Sequence, residues 1–460
     1  MVVKGSFSMH FQKASRLSKQ CGPLQVHKMW LYLLLINFFI LPRVLPPLNL
    51  LGFRFEWQIA DFMIFVTGLY LFGRTIIRSG KIDFISGIDT LDKVIFLILI
   101  VQVFSSIMGI IRFSNSFIFA FASLLKSIEP YILYFFIRAF VKAEREANSI
   151  INLLVNIGKI IILVGIIQII YPNLYLTIIK IFYSKSRILF NEGFVNSIER
   201  RVSSLLLNPN KLANFIIILF PLMLINLGRI SSFWKKVYYL VYIVATIVVL
   251  IYTLSREGYL GFATMLIYLI FIIKKYRSFL SIKYLGFFII LILVIISLNF
   301  SVLYQRIAIY TFGGNIGNLE YMYETSSFAE RFILWKSTLN AIYKNLLYVT
   351  GIELGSEIVK MYTPAYFITG GDPHNTFLRT FLETGILGFL LFWYFIIRIF
   401  KIKKMEVKFE RYKFALQAST IGLLFSGILG DSFQDFEISV VLFALIGLIQ
   451  NMREGYEKLK

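Results

Sequence analysis

Apolar runs about as long as a bilayer core is thick alternate with short polar connections along most of the chain, and this pattern predicts helices. A span needs about 20 mostly apolar residues. Twelve stretches qualify, roughly 30–51, 57–77, 92–111, 116–138, 150–171, 211–228, 236–254, 257–273, 283–302, 376–397, 411–430 and 434–451. Pro42, Arg43, Pro46 and Pro47 interrupt the first, so a helix kinks or breaks there. The others read as continuous helices. The expected fold is all-α, with about twelve transmembrane helices.

Two polar connections are too long for simple turns, about 172–210 and about 303–375. Long loops without structure are uncommon and usually functional or disordered. Within the second, Phe328, Phe332, Trp335, Leu339, Ile342 and Leu346 recur at helical spacing opposite Ser337, Asn340 and Lys344. That spacing predicts an amphipathic helix lying on a leaflet surface. The chain therefore divides into a basic leader, 1–29; nine spans over 30–302 that include the 172–210 loop; the long loop, 303–375; and three spans with a tail, 376–460. No internal repeat, low-complexity tract or soluble domain stands out.

Composition agrees with this picture. The chain is 58% hydrophobic with a mean hydropathy of +0.75, against roughly 45–50% apolar residues in soluble domains. It reads as a polytopic membrane protein. The net charge of +22 would suggest nucleic acid in a soluble protein, but Lys and Arg cluster between the apolar runs and instead report topology. With the N-terminus in the cytoplasm every internal loop is basic, for example Arg138, Lys142 and Arg145, or Arg398, Lys401, Lys403 and Lys404. Both termini are then cytoplasmic and the two long loops external. The last external turn is acidic, with Asp431, Asp435 and Glu437. The apolar run from Trp30 lacks a small-residue cleavage site, which predicts an uncleaved first span. One cysteine, Cys21, excludes an intramolecular disulfide and a Cys-based metal site.

The polar residues that could carry chemistry sit at external span ends. His374 closes the long loop in the string Gly371-Asp372-Pro373-His374-Asn375-Thr376. With an unperturbed pKa of roughly 6.5, an imidazole at the water boundary is a candidate general base. Arg201 precedes Asn208-Pro209-Asn210, a helix start whose free amides favour an anion. Arg256 lies in the tight turn Leu254-Ser255-Arg256-Glu257-Gly258. Two guanidiniums and a helix N-terminus on one side of the membrane could clamp a pyrophosphate through bidentate contacts. Plainer readings stand beside these. His374 could be an ordinary interfacial residue, Arg256 could snorkel to headgroups, and Arg200 with Arg201 could contact anionic lipid. Within the spans, Lys126 and Glu129, three apart on one helix, predict a local ion pair, and Asp61 and Lys159 are expected to face the bundle interior. No Cys, His or carboxylate cluster has metal-ligand spacing along the sequence, so no metal and no cofactor are expected.

Four ordered stretches over roughly 200–390 resemble the O-antigen ligase superfamily, which includes lipid A-core ligases and Wzy-type repeat-unit polymerases. They are Arg201 with Asn208-Pro209-Asn210 and Leu212-Ala213; Ser255-Arg256 with Gly258; Arg331 and Trp335 followed by Gly351; and His374-Asn375 with Glu383, Gly385 and Gly388. The histidine string is the most specific. The stretch Thr350-Gly351-Ile352-Glu353-Leu354-Gly355 departs from the close Gly pair often found before the histidine in this family. The resemblance implies a multispan, GT-C-like inverting glycosyltransferase of the cytoplasmic (inner) membrane, acting on its outer side with a polyprenyl-pyrophosphate-linked oligosaccharide as donor. His374 would be the general base and Arg201 and Arg256 the donor-pyrophosphate ligands, supported by Arg200, Asn208, Asn210, Arg331, Asn375 and Glu383. Partners would be the lipid-linked donor, a glycan acceptor, the bilayer and a chain-length regulator, with no nucleic acid. Polymerisation of repeat units into a surface polysaccharide such as O-antigen, capsule or exopolysaccharide is the favoured activity. Ligation to lipid A-core or another acceptor is the first alternative, and a lipid-linked oligosaccharide flippase or transporter the second.

Overall fold

The computed structural model describes residues 23–40, 48–50, 53–55, 58–79, 89–112, 117–141, 143–183, 201–276, 327–344, 349–352, 355–363, 371–403 and 407–457, with the single residues 297 and 405. Helices dominate them. In chain order they are α1 (Pro23–Phe39), α2 (Ile59–Ser79), α3 (Thr90–Arg112), α4 (Phe117–Phe140), α5 (Glu144–Ile170), α6 (Pro172–Phe182), α7 (Pro209–Arg229), α8 (Phe233–Tyr252) and α9 (Arg256–Tyr276). After these come α10 (Ser327–Lys344), α11 (Gly355–Tyr362), α12 (Thr376–Phe400), α13 (Val407–Ser426) and α14 (Phe436–Glu457).

Every apolar stretch expected from the sequence contains a described helix except 283–302, of which only residue 297 is described. Among the described residues six helices, α3, α5, α7, α8, α12 and α14, are long and apolar enough to cross a membrane. The first expected span differs. Its helix stops at Phe39, ahead of the proline cluster, and Leu48–Leu50 pairs antiparallel with Phe53–Phe55 in a short hairpin (β1, β2). Pro cannot continue a helix, and here the chain beyond it takes up a sheet ladder instead.

Helix α7 is buried on almost every side, as is α14, while α3 turns Phe96, Ile100, Phe104 and Ile107 outward. Around them α9 packs along α13, α14 along α4 and α12 along α3. Between helices in lipid, close packing and interhelical polar contacts hold the bundle, because lipid tails are as apolar as leucine. One such contact corrects the expected Lys126–Glu129 pair: Lys126 Nζ lies 2.5 Å from Asp61 Oδ1 on α2 and 4.1 Å from the centroid of the Phe436 ring. The nearer partner in space sits on another helix. At the opposite end of α4, Arg138 joins Asp92, Asn451 and Glu454, tying α3, α4 and α14 together.

Helix α12 is broken at Gly385, whose φ of 68° and ψ of −171° suit glycine alone. The break frees carbonyls that other segments fill. Leu382 O accepts from Thr350 N at 3.3 Å and Glu383 O from Gly351 N at 3.2 Å, with Ser105 Oγ donating to Glu383 O as well.

The helix expected in the long loop is present as α10, with its facing corrected. Leu334, Ser337, Thr338 and Ala341 are buried, and the Leu334/Ala341 side packs with Ile358 and Val359 of α11 and Leu382 of α12. Phe332, Leu339 and Tyr343 point away from the protein. Ser337, placed on the polar face by the sequence, packs inward because its hydroxyl donates to Tyr362 O. Phe328 and Leu346 carry no described side chain.

Candidate functional site

The N-terminus of α12 carries His374. Asn375 is its N-cap: Oδ1 accepts from Phe377 N and Leu378 N, each at 3.0 Å, and Nδ2 donates to Ile428 O at 2.9 Å. Thr376 N donates to Gly427 O at 2.8 Å and Gly430 O at 2.9 Å. The cap therefore fastens the start of α12 to the turn between α13 and α14. Ahead of it, Trp335 Nε1 of α10 donates to Pro373 O at 2.9 Å, and His374 N donates to Asp372 Oδ1 at 3.0 Å. Held from these sides, His374 takes a left-handed φ of 44°. Such strain in a non-glycine residue is characteristic of functional positions.

The imidazole is about half exposed, and its Nδ1 lies 3.5 Å from Asp431 Oδ2 and 4.0 Å from Asp372 Oδ1. Burial disfavours the imidazolium, but Asp431 and Asp372 outweigh it and hold the pKa above the ordinary imidazole value. Burial and the neighbouring Asp431 push the Asp372 carboxyl up to about 6. Burial also opposes ionisation of Asp431, yet Arg379 and His374 overcome it and hold that carboxyl below the usual range. Arg379 anchors the group from one turn deeper, with Nε 3.0 Å from Glu383 Oε1 and Nη1 3.5 Å from Asp372 Oδ2 and 3.7 Å from Asp431 Oδ2.

A second group of residues starts from Arg201. Its Nε donates to Thr253 O at 3.0 Å and its Nη2 to Asn210 Oδ1 at 2.9 Å. Val202 N donates to Tyr252 O at 2.9 Å, so the Arg201 segment lies along the end of α8. Asn208 caps α7, its Oδ1 accepting from Asn210 N at 2.8 Å and Lys211 N at 3.4 Å. Arg256 opens α9 three residues beyond Thr253, and Ser255 Oγ accepts from Gly258 N at 3.2 Å. A Cβ on Gly258 would stand 2.3 Å from Ala213 Cβ, so the glycine permits the close crossing of α7 and α9.

The two groups share one end of the bundle. Glu257, next to Arg256, reaches so near Gly430 that a Cβ there would lie 1.9 Å from its Oε2. Gly430 precedes Asp431, the imidazole's partner. Arg331 of α10 bridges the same place, with Nη2 3.8 Å from Glu257 Oε2 and Nη1 donating to Leu429 O. Lys211 Nζ lies 2.7 Å from Glu437 Oε2 and 3.9 Å from Asp435 Oδ1, joining α7 to the start of α14. Burial, against the pull of Lys211, pushes the Asp435 carboxyl up to about 7.

Among the expected site residues, His374, Asn375 and Arg331 thus surround one turn, and Glu383 joins them through Arg379. Arg201 and Asn210 meet by Thr253, three residues before Arg256 opens α9, while Asn208 caps α7 next to Asn210. Arg200 lies outside the described residues. The sequence missed Asp431 and Arg379. Asp431 was visible only as part of an acidic turn, but an arginine inside an apolar run, four residues before Glu383, is a signal in itself because such a charge needs a partner.

Asp372, His374 and Asp431 have ligand atoms within 4.8 Å of one another, a grouping that sequence spacing concealed because Asp431 lies on another connection. By distance alone it could hold a metal ion. Arg379 Nη1 already brings a positive charge to both carboxylates. Chemically, the arrangement offers an imidazole whose Nδ1 faces a carboxylate. Two further guanidiniums stand near the same end.

Residues 241–393 match a family model described as O-antigen ligase. That stretch contains Arg256, Arg331, Gly351, His374 and Glu383, while Arg201 precedes it. Comparison with curated proteins returned no match.

Proposed function

We propose that this O-antigen ligase-like, multi-pass membrane protein is an inverting glycosyltransferase that polymerises polyprenyl-pyrophosphate-linked oligosaccharide repeat units into a surface polysaccharide. In this reading the bundle has twelve spans and a GT-C-like plan. Both termini are cytoplasmic, and the 303–375 loop covers an extracytoplasmic site.

The observation that carries the proposal is the meeting of His374 and Asp431 with the turn that bears Arg256. Arg201 approaches that turn through Thr253, and Glu257 approaches Asp431 across Gly430. His374 Nε2 takes the proton from an acceptor hydroxyl as its oxygen bonds to the anomeric carbon of the donor. The anomeric carbon–oxygen bond breaks on the opposite face, and the electron pair leaves with the polyprenyl pyrophosphate. Arg201 and Arg256 hold that pyrophosphate and neutralise the growing charge, an interaction strongest in the transition state. Asp431 fixes the imidazole tautomer and stabilises the imidazolium. A pyrophosphate is a good leaving group, so neither nucleotide nor metal enters the scheme.

The deciding experiment gives purified protein only lipid-linked repeat units. Long glycans are expected from the wild type, and His374→Ala should reduce transfer by about 100-fold or more. Product that forms only when lipid A-core or another acceptor is added would make the protein a ligase. Absence of transfer in every case, together with lipid-linked glycan crossing the membrane, would make it a transporter.

A further inference from the structure

Below His374, a cavity of about 400 Å³ opens between α3, α4, α12 and α14. None of its lining residues comes from the Arg201 segment, α7, α8 or α9, so it is separate from the two guanidiniums assigned to the donor. Two of the four walling helices carry a residue unusual inside a helix. Pro130 lies within α4 on one side, and the break at Gly385 turns α12 on the other. The volume lies in the roughly 300–1,000 Å³ range of small-molecule sites.

The lining is two-sided. Its floor is aromatic, with Tyr131, Phe392, Phe395 and Phe443, while Gln102, Lys126, Arg379, Thr380, Glu383 and Gln434 supply polar groups. The side-chain oxygens of Gln102 and Gln434 are buried and have no hydrogen-bond partner. Gln434 Nε2, by contrast, is engaged, donating to Thr376 O at 3.1 Å and Thr380 Oγ1 at 2.8 Å. Two unmet acceptors call for a ligand that donates hydrogen bonds.

Charge narrows the choice. Lys126 is held by Asp61 at 2.5 Å, and Arg379 is shared among Glu383, Asp372 and Asp431. Four carboxylates thus stand against two cations that are already occupied, which leaves little attraction for a phosphate or a uronic acid. A ring carrying several hydroxyls on its edge and C–H groups on its face meets both demands, since hydroxyls can donate to Gln102 and Gln434 and the apolar face can lie on aromatic rings.

We infer that this cavity is a subsite for an uncharged, hydroxyl-bearing sugar of the acceptor glycan, set beside the base through Arg379. The inference rests on the transferase reading above. It makes the acceptor sugar neutral and places donor and acceptor on different helices.

The test uses full-length protein in phosphatidylglycerol-containing nanodiscs and photoreactive aryl glycosides of glucose, galactose, N-acetylglucosamine and glucuronic acid, with adducts mapped by mass spectrometry. At least one neutral glycoside should label α3, α4, α12 or α14 saturably, with the glucuronide at least tenfold weaker. Gln102→Leu and Gln434→Leu should each reduce labelling several-fold, and Arg201→Ala should leave it unchanged. Equal labelling by the glucuronide, labelling indifferent to both glutamine substitutions, no saturable labelling, or displacement by a polyprenyl phosphate would overturn the subsite. Two variants with different surroundings guard against a folding artefact, and retained monodispersity on gel filtration qualifies each. Chain growth surviving in His374→Ala would instead sink the transferase reading while leaving the labelling result intact.

Discussion

At His374 the backbone is strained, the imidazole is half exposed and Asp431 stands 3.5 Å from Nδ1. Its pKa is raised, so the neutral form needed to accept a proton becomes dominant only as pH climbs through a value above about 6.5. Transfer should therefore rise with pH across that range. In Asp431→Asn the inflection should move down towards the ordinary imidazole value while the plateau falls by about tenfold or more, because the ring loses its orientation. A pH–rate profile of both proteins checks this, and an unmoved inflection would remove Asp431 from the dyad. The same raised pKa links to stability: its contribution is full below about pH 6.5 and fades as pH rises through the folded-state value. At this scale the sequence singled out His374, Arg201 and Arg256 as candidates because charged or titratable groups at span ends are conspicuous. It could not reveal that Asp431 faces the ring, since the two lie on connections that only folding brings together.

Among the elements, α12 has the most demanding local geometry. Its break depends on Gly385, and an added Cβ would both occupy a left-handed backbone and stand 2.9 Å from Val349 Cγ1. Gly385→Ala should cost about 1–3 kcal/mol and lower the thermal unfolding midpoint in detergent. Gly73→Ala, where a Cβ meets nothing within 4 Å, should not. Equal midpoints for the two variants would mean that α12 can straighten without loss. The helix α10 teaches a related lesson about legibility. Its existence followed from 3.6-residue spacing, but its facing did not. The buried row Leu334, Ser337, Thr338 and Ala341 was fixed by the neighbours α11 and α12. The row with Phe332 and Leu339 was left outward, available to a leaflet surface.

For the whole molecule, the topology proposed from the basic loops sets α10 outside and the α12–α13 connection inside. In a Cys21→Ser background, Asn340→Cys should react with a membrane-impermeant maleimide on intact cells, whereas Lys403→Cys should react only after permeabilisation. Both positions are exposed on the protein surface. The reverse pattern would invert the orientation and put His374 in the cytosol, where no lipid-linked glycan awaits polymerisation in this scheme.

The sequence by itself determined that the chain builds apolar helices, where most of them begin and end, and which titratable groups stand at their polar ends. These properties follow from hydropathy, spacing and capping chemistry, which act over a turn or two of chain. Only the tertiary structure decided that Lys126 pairs with Asp61 and not Glu129, that Arg379 and Asp431 complete the histidine's surroundings, and that a cavity lies beneath them. Each of those depends on distances between segments remote along the chain, and such distances are set by how helices pack.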